Sequence, residues 1–154
     1  MKVYGKNVLN EVLSNPQKIK KLYITSNMKD ERIMKSVREN KIQFESVSRE
    51  TMDKMVKGNH QGIMAIVDDF NYTDYKSMYN EKLVVILDHL EDPHNFGAII
   101  RTCEAAGVKS IIIPKDRSVD VNETVMKTST GALEYVNIAR VNNLVKTIND
   151  FKDN

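Results

Sequence analysis

The chain has 154 residues, 41% of them hydrophobic, enough to pack one ordinary domain or two small ones and too many for a disordered polymer. The net charge of +2 does not by itself announce a nucleic-acid partner, but it is unevenly spread. Residues 1–70 hold 13 Lys and Arg against 9 Asp and Glu, a surplus of +4, and residues 71–154 hold 10 against 12, or −2. A mildly basic front half suits a phosphate backbone, and an ordinary charged surface is the competing reading.

The single cysteine, Cys103, excludes an intrachain disulfide and fits a reducing cytoplasm. No run of 18 apolar residues is present to span a membrane. MKVYGKNVLNEVL, at the amino terminus, lacks the continuous apolar stretch of a secretory signal.

In chain order, Val8, Leu9, Val12 and Leu13 give one apolar helical face that Asn15-Pro16 ends. LYITS (22–26) reads as a short strand. DERIMKSVRENK (30–41) reads as a helix with Asp30 as N-cap, and IQFESVS (42–48) alternates as a half-buried strand does. Met52, Met55 and Val56 mark a short helix closed by Gly58, and GIMAIV (62–67) is a buried strand. Residues 68–82 have no clear period and read as a linker. Their Phe70, Tyr72, Tyr75 and Tyr79 serve either to stack bases or to dock the linker on a neighbouring domain.

From residue 83 the pattern is α/β. LVVILD (83–88) is the nearly continuous apolar run of a parallel strand covered on both faces. The loop HLEDPH leads to a helix over 95–106, with Gly107 after it, and SIIIP (110–114) completes a βαβ unit with a right-handed crossover. A helix over 121–129 runs to Gly131, YVNIARV (135–141) is a third strand, and NNLVKTINDFKDN begins a third helix. That last helix has no following strand to cover, so the chain is expected to end inside an α/β domain.

Ligands of open α/β sheets bind beyond the carboxyl ends of the strands, where residues 89–97 fall. Pro93 fixes the turn at Asp92, and Asn95 is placed to cap the helix or to present its amide. A helical side chain leans over positions i−3 and i−4, so the Arg101 guanidinium crosses Ala98 and Gly97 toward the loop. An amide and a bidentate cation then share one mouth, near helix N–H groups that favour anions. The plainer alternative pairs Arg101 with Glu104 on the surface and makes Asn95 a cap. No G-x-G-x-x-G follows the strand, which disfavours a nicotinamide site. His89 and His94 lack a firm third ligand, so no metal is expected. Cys103 falls on the core face and is expected to be inert.

LDHLEDPHNFGAIIRTCEAAGVKSIIIPKDRS, with NETVMKTSTGALEYVNIARVNNL after it, resembles the SpoU (TrmH-type) RNA ribose 2′-O-methyltransferases. The resemblance is strongest to the RlmB-like branch, which modifies a guanosine of 23S ribosomal RNA. VYGKNVLNEVL and HQGIMAIV resemble that branch's small amino-terminal substrate-binding domain. The resemblance implies an α/β chain in three parts: an L30e-like RNA substrate-binding domain over 1–70, a linker over 71–82, and an incomplete SPOUT-type (knotted) methyltransferase domain over 83–154.

It further implies S-adenosylmethionine as methyl donor, RNA as partner and a cytoplasmic homodimer. Asn95 and Arg101 fall on the catalytic motif: Asn95 would hold the loop or the ribose, and Arg101 would meet the target nucleotide with its phosphate or assist activation of the 2′-hydroxyl. A guanidinium is a poor proton acceptor, so Arg101 is expected to position. Gly131 matches a family glycine, which a tight helix-to-strand turn explains.

The family's second motif, with its Gly and Glu, and its third, a Pro-led segment ending in Ser-Leu-Asn, are not among these residues. The knot-forming segment and the cofactor-binding residues are therefore expected beyond Asn154, and the chain alone is expected to be inactive. The alternatives are an RNA-binding fragment without catalysis, a transfer-RNA 2′-O-methyltransferase, and the product of an interrupted gene.

Overall fold

Short apolar segments, each too small to bury its own face, gather residues 1–69 around a mixed four-stranded sheet. The computed structural model describes residues 1–154, in two compact units, Met1–Asp69 and Phe70–Asn154. The first unit runs β1 (Lys2–Tyr4), α1 (Lys6–Ser14), β2 (Ile19–Thr25), α2 (Glu31–Glu39), β3 (Glu45–Val47), α3 (Arg49–Met55) and β4 (Ile63–Val67).

Its strand order is β1-β4-β2-β3, with β4 antiparallel to both neighbours and β3 parallel to β2. Leu22 and Ile24 alternate with Tyr23 along β2, and Tyr23 packs with Met52, Val56 and Met64 on the α3 side. The expected helical face of α1 is buried at Val8, Leu9 and Leu13, and Asp30 caps α2 by accepting from Arg32 N and Ile33 N.

Three parts of this unit differ from the sequence reading, the first being β2, which starts at Ile19 instead of Leu22. The strand expected over 42–48 is only Glu45–Val47; it is an edge strand with one neighbour, and Phe44 lies exposed before it. Strand β1 has too few residues to show a period, and β4 supplies its pairing.

The turn before β4 ties several elements together. His60 is buried; its Nδ1 accepts from Gly62 N at 2.9 Å, which leaves Nε2–H to donate to Asp53 Oδ1 of α3 at 2.7 Å. Gln61 Oε1 accepts from Lys6 N, satisfying an otherwise free donor at the start of α1. Gly62 has φ +84° and lies against Thr25, whose Oγ1 would be 2.6 Å from an added Cβ.

The second unit contains β5 (Val84–Ile86), α4 (Pro93–Ala105), β6 (Ser110–Pro114), α5 (Glu123–Ser129), β7 (Asn137–Val141) and α6 (Leu144–Asp153). Its three strands are parallel in the order β5-β6-β7. Ile111, Ile113 and Ile138 pack with Phe96, Ile100 and Cys103 of α4 and Val125 of α5 on one face. Ile112, Ala139 and Val141 pack on the other with Met78, Leu144 and Phe151. No helix is long and apolar enough to cross a membrane.

Residues 71–82 are not a free linker. Tyr72 Oη accepts from Val121 N, Thr73 N donates to Ile138 O, and Tyr75 Oη donates to Asp150 Oδ2. A 3-10 turn, Tyr75–Met78, buries Met78, and Tyr75 and Tyr79 meet Phe151 of α6. These aromatic side chains therefore dock the segment on the second unit. Strand β5 is an edge of its sheet, and its residues are half-buried instead of enclosed on both faces. The third strand starts at Asn137 because Ala132–Tyr135 forms a 3-10 turn, with Gly131 at φ +91° making the reversal.

Candidate active site

The loop leaving β5 is fastened mainly through its backbone. Leu87 N continues the ladder to Ile112 O, and Leu90 O accepts from Val119 N at 2.7 Å and Ser118 Oγ at 3.3 Å. The loops after β5 and β6 are thereby joined at the carboxyl end of the sheet. His89 sits at φ +54° with its Nδ1 hydrogen-bonded to Asp88 Oδ1.

Asp92 then starts α4. Its Oδ1 accepts from His94 N at 2.7 Å and Asn95 N at 3.0 Å, with Pro93 in the first turn. The bond from Asn95 N, helped by that from His94 N, holds the Asp92 carboxyl below its usual range. The helix expected to begin at Asn95 thus begins at Pro93, because Asp92 is the cap. The Asn95 backbone N–H is used by that cap, and its side chain is exposed.

Phe96, Gly97, Ile100 and Cys103 form the buried face of α4. Gly97 does more than keep the first turn slim: an added Cβ would overlap Thr128 Oγ1 and lie 2.7 Å from Thr128 Cβ, so the glycine lets α4 and α5 touch. Its surface is covered by α5, which leaves Ala98, and not Gly97, exposed beside Arg101.

Arg101 is exposed and makes no ion pair with Glu104, so the surface pairing considered from the sequence is absent. Asn95 and Arg101 are six positions apart, about 9 Å along the axis and about 120° around it. They flank exposed Ala98 on one side of the helix and do not touch.

No group of three or more His, Cys, Asp or Glu side chains converges to hold a metal. His89 is engaged by Asp88, and His94 Nδ1 lies 3.8 Å from Asp92 Oδ1. Burial pushes the Cys103 thiol up, consistent with its core position.

An arrangement the sequence did not reveal lies at the end of β7. Arg140 Nη1 donates to Asp120 Oδ2 at 2.8 Å, and the guanidinium carbon stands 4.6 Å from the centre of the Tyr72 ring. The Asp120 bond raises the Arg140 pKa, and burial raises that of the Tyr72 phenol. Arg, Asp and Tyr residues 20 or more positions apart offer no periodic signal, so only the folded chain brings them together.

Known proteins share both halves of this chain. Residues 82–154 match the SpoU rRNA Methylase family and residues 2–73 match the family described as RNA 2′-O ribose methyltransferase substrate binding. A putative TrmH family tRNA/rRNA methyltransferase of Staphylococcus aureus is 38% identical over 162 residues, which cover 99% of this chain and 65% of that protein. A second, YacO of Bacillus subtilis, is 38% identical over 161 residues, covering 98% and 65%. The chain thus spans just under two thirds of the length of these relatives.

Among solved structures, the SpoU methyltransferase AviRb of Streptomyces viridochromogenes, in complex with AdoMet, superposes with a TM-score of 0.76 at 17% identity. The match covers 99% of this chain and 58% of AviRb. An AdoMet-bound rRNA methyltransferase of Sinorhizobium meliloti gives 0.73 at 23% identity, covering 99% and 57%. These two likenesses show a shared mixed α/β fold. With both halves matched by models of the same enzymes, and with relatives of that kind across its whole length, the chain belongs to the SpoU (TrmH-type) methyltransferase family.

Proposed function

We propose that this chain forms the substrate-binding and first catalytic parts of an enzyme that methylates a ribose 2′-hydroxyl of RNA, in particular of a guanosine in 23S ribosomal RNA. In this reading the first unit is an L30e-like RNA-binding domain and the second belongs to a knotted methyltransferase domain that acts as a homodimer. Support comes from the family of both halves and from the exposed face of α4.

The observation that carries the catalytic assignment is the state of Arg101, a guanidinium on the motif helix, exposed and free of any internal partner. Such a group has its forked donors available for a phosphate or a nucleotide oxygen. Asn95, exposed about one and two thirds turns earlier, offers an amide that donates to and accepts from ribose hydroxyls. Both residues hold the acceptor, and neither is a proton acceptor at neutral pH.

S-adenosylmethionine is the methyl donor in this reading. The chain's own residues at the carboxyl end of the sheet do not fit it by themselves. Arg140 Nε is the buried atom there without a partner, and the rest of that guanidinium is already engaged by Asp120 and the Tyr72 ring. Asp88, His89, Lys115, Asp116 and Arg117 are exposed and charged or polar, so these side chains offer an adenine no apolar surface.

The test is methyl transfer from labelled S-adenosylmethionine to 23S rRNA by the protein that carries this sequence, with alkaline hydrolysis locating the label. A methylated 2′-oxygen cannot attack its phosphate, so the labelled linkage resists cleavage. Arg101→Ala is expected to lower transfer by about a hundredfold, the scale of losing one positioning group in a reacting complex. Unchanged transfer overturns the assignment of Arg101, and label recovered in mononucleotides after alkali overturns the ribose. The relatives are described as tRNA/rRNA enzymes, so transfer RNA is assayed beside 23S rRNA. Methylation of transfer RNA alone replaces the substrate.

A further inference from the structure

The first unit contains a cleft of about 440 Å³ formed by the start of α1, the turn after β2, α3 and the loop 58–62. That volume lies within the range of ligand sites, about 300–1,000 Å³, but the lining is not the mostly apolar one of such sites. Lys6, Lys29 and Arg49 face Asp53, a surplus of two positive charges, and Asn27, Asn59 and Gln61 add side-chain amides.

The charges divide into engaged and free. Lys6 Nζ pairs with Asp30 Oδ2 at 3.0 Å, and Asp53 accepts from His60. Lys29 and Arg49 are exposed and have no internal partner. The floor is fixed by bonds already described: buried His60 holds the loop to α3, Gln61 holds it to α1, and Gly62 packs on Thr25. Met28 supplies an apolar patch beside these polar groups.

We propose that this cleft receives one unpaired nucleotide of the substrate RNA, its phosphate between Lys29 and Arg49 and its base toward Met28 and the Asn27 and Asn59 amides. The proposal rests on the RNA-modifying reading above and assigns a site within the first unit to that substrate. Two free cations suit a phosphate, and amides suit the Watson–Crick edge of an unpaired base, which a duplex uses up in pairing. The rigid floor favours a nucleotide splayed from its strand, since the cleft has its shape before anything binds.

The experiment measures binding of a fluorescent RNA hairpin with an open loop, and of the same sequence closed into a duplex, to this chain. Lys29→Gln with Arg49→Gln is expected to weaken hairpin binding by at least about tenfold and to lower the slope of log affinity against log salt by about 0.7, as loss of one neutralised single-strand phosphate requires. Lys20→Gln, outside the cleft and paired with Asp68, is expected to stay within about twofold, the scatter of surface changes. Unfolding curves confirm that each variant folds. Hairpin affinity of the double variant within twofold of the parent overturns the cleft, as does equal binding of hairpin and duplex. Displacement of the hairpin by free guanosine monophosphate at equimolar concentration also overturns it, making the ligand a free nucleotide. Failure of the parent chain to bind either RNA sinks the function proposed above along with this site, whereas an insensitive double variant sinks the cleft alone.

Discussion

Loop 58–62 of the first unit and loop 87–92 of the second are built by opposite means. In the first, side chains are spent on structure: His60 and Gln61 bond to α3 and α1, which commits both His60 ring nitrogens and Gln61 Oε1 before any ligand arrives. In the second, backbone groups carry most of the load: Leu90 O joins the two loops, and the α4 cap consumes only the Asp92 carboxylate. Asn95 and Arg101 are left exposed. The first arrangement makes a rigid polar cleft; the second makes a scaffold that displays functional side chains without fixing them. Both arrangements suit the proposed task of holding a flexible RNA and aligning one of its hydroxyls.

Gly97→Ala gives the largest expected effect. The new methyl group overlaps Thr128, so α4 and α5 must separate, at a cost of about 2–3 kcal/mol. Urea unfolding followed by amide exchange should show the loss in residues 70–154 and leave residues 1–69 unchanged. Thr128→Ala should recover only part of it, because Thr128 Cβ remains 2.7 Å from the added atom. A neutral Gly97→Ala would break the account of the scaffold.

His60→Ala comes next and probes the cleft. It removes the Asp53 bond and leaves Gly62 N without its acceptor, at a cost of about 1–2 kcal/mol. Exchange should quicken at 58–62 and at the start of α1. Equal protection in the variant would mean that these side chains do not hold the loop.

The smallest effect sharpens the boundary between the units. The hydrogen bond from Tyr75 Oη to Asp150 pushes the Tyr75 pKa up to about 12. The neutral phenol is the form the fold favours, so its contribution is complete below the unfolded value of about 10 and is lost as pH rises through about 12. Ultraviolet titration should find one tyrosine ionising near 12, and Asp150→Asn should bring it back toward its usual value. Ordinary titration of all six tyrosines would contradict the docking of residues 71–82 on α6.

Sequence by itself determined the elements whose signal repeats within one segment: the apolar faces of α1 and α2, the buried runs of β4 and β6, and the placement of Asn95 and Arg101 on the helix after the first parallel strand. Hydrophobic period and helix pitch are local properties, so they survive without knowledge of neighbours. Tertiary structure alone decided what depends on a partner remote in the chain. Strand β1 exists because β4 pairs with it, and residues 71–82 are docked because Val121, Ile138 and Asp150 receive them. Gly97 meets Thr128 only after α5 has packed, and His60, Lys29 and Arg49 line one cleft only after β2, α3 and β4 have assembled. Contacts of that kind leave no periodic mark, because their spacing along the chain is set by how the elements fold back on one another.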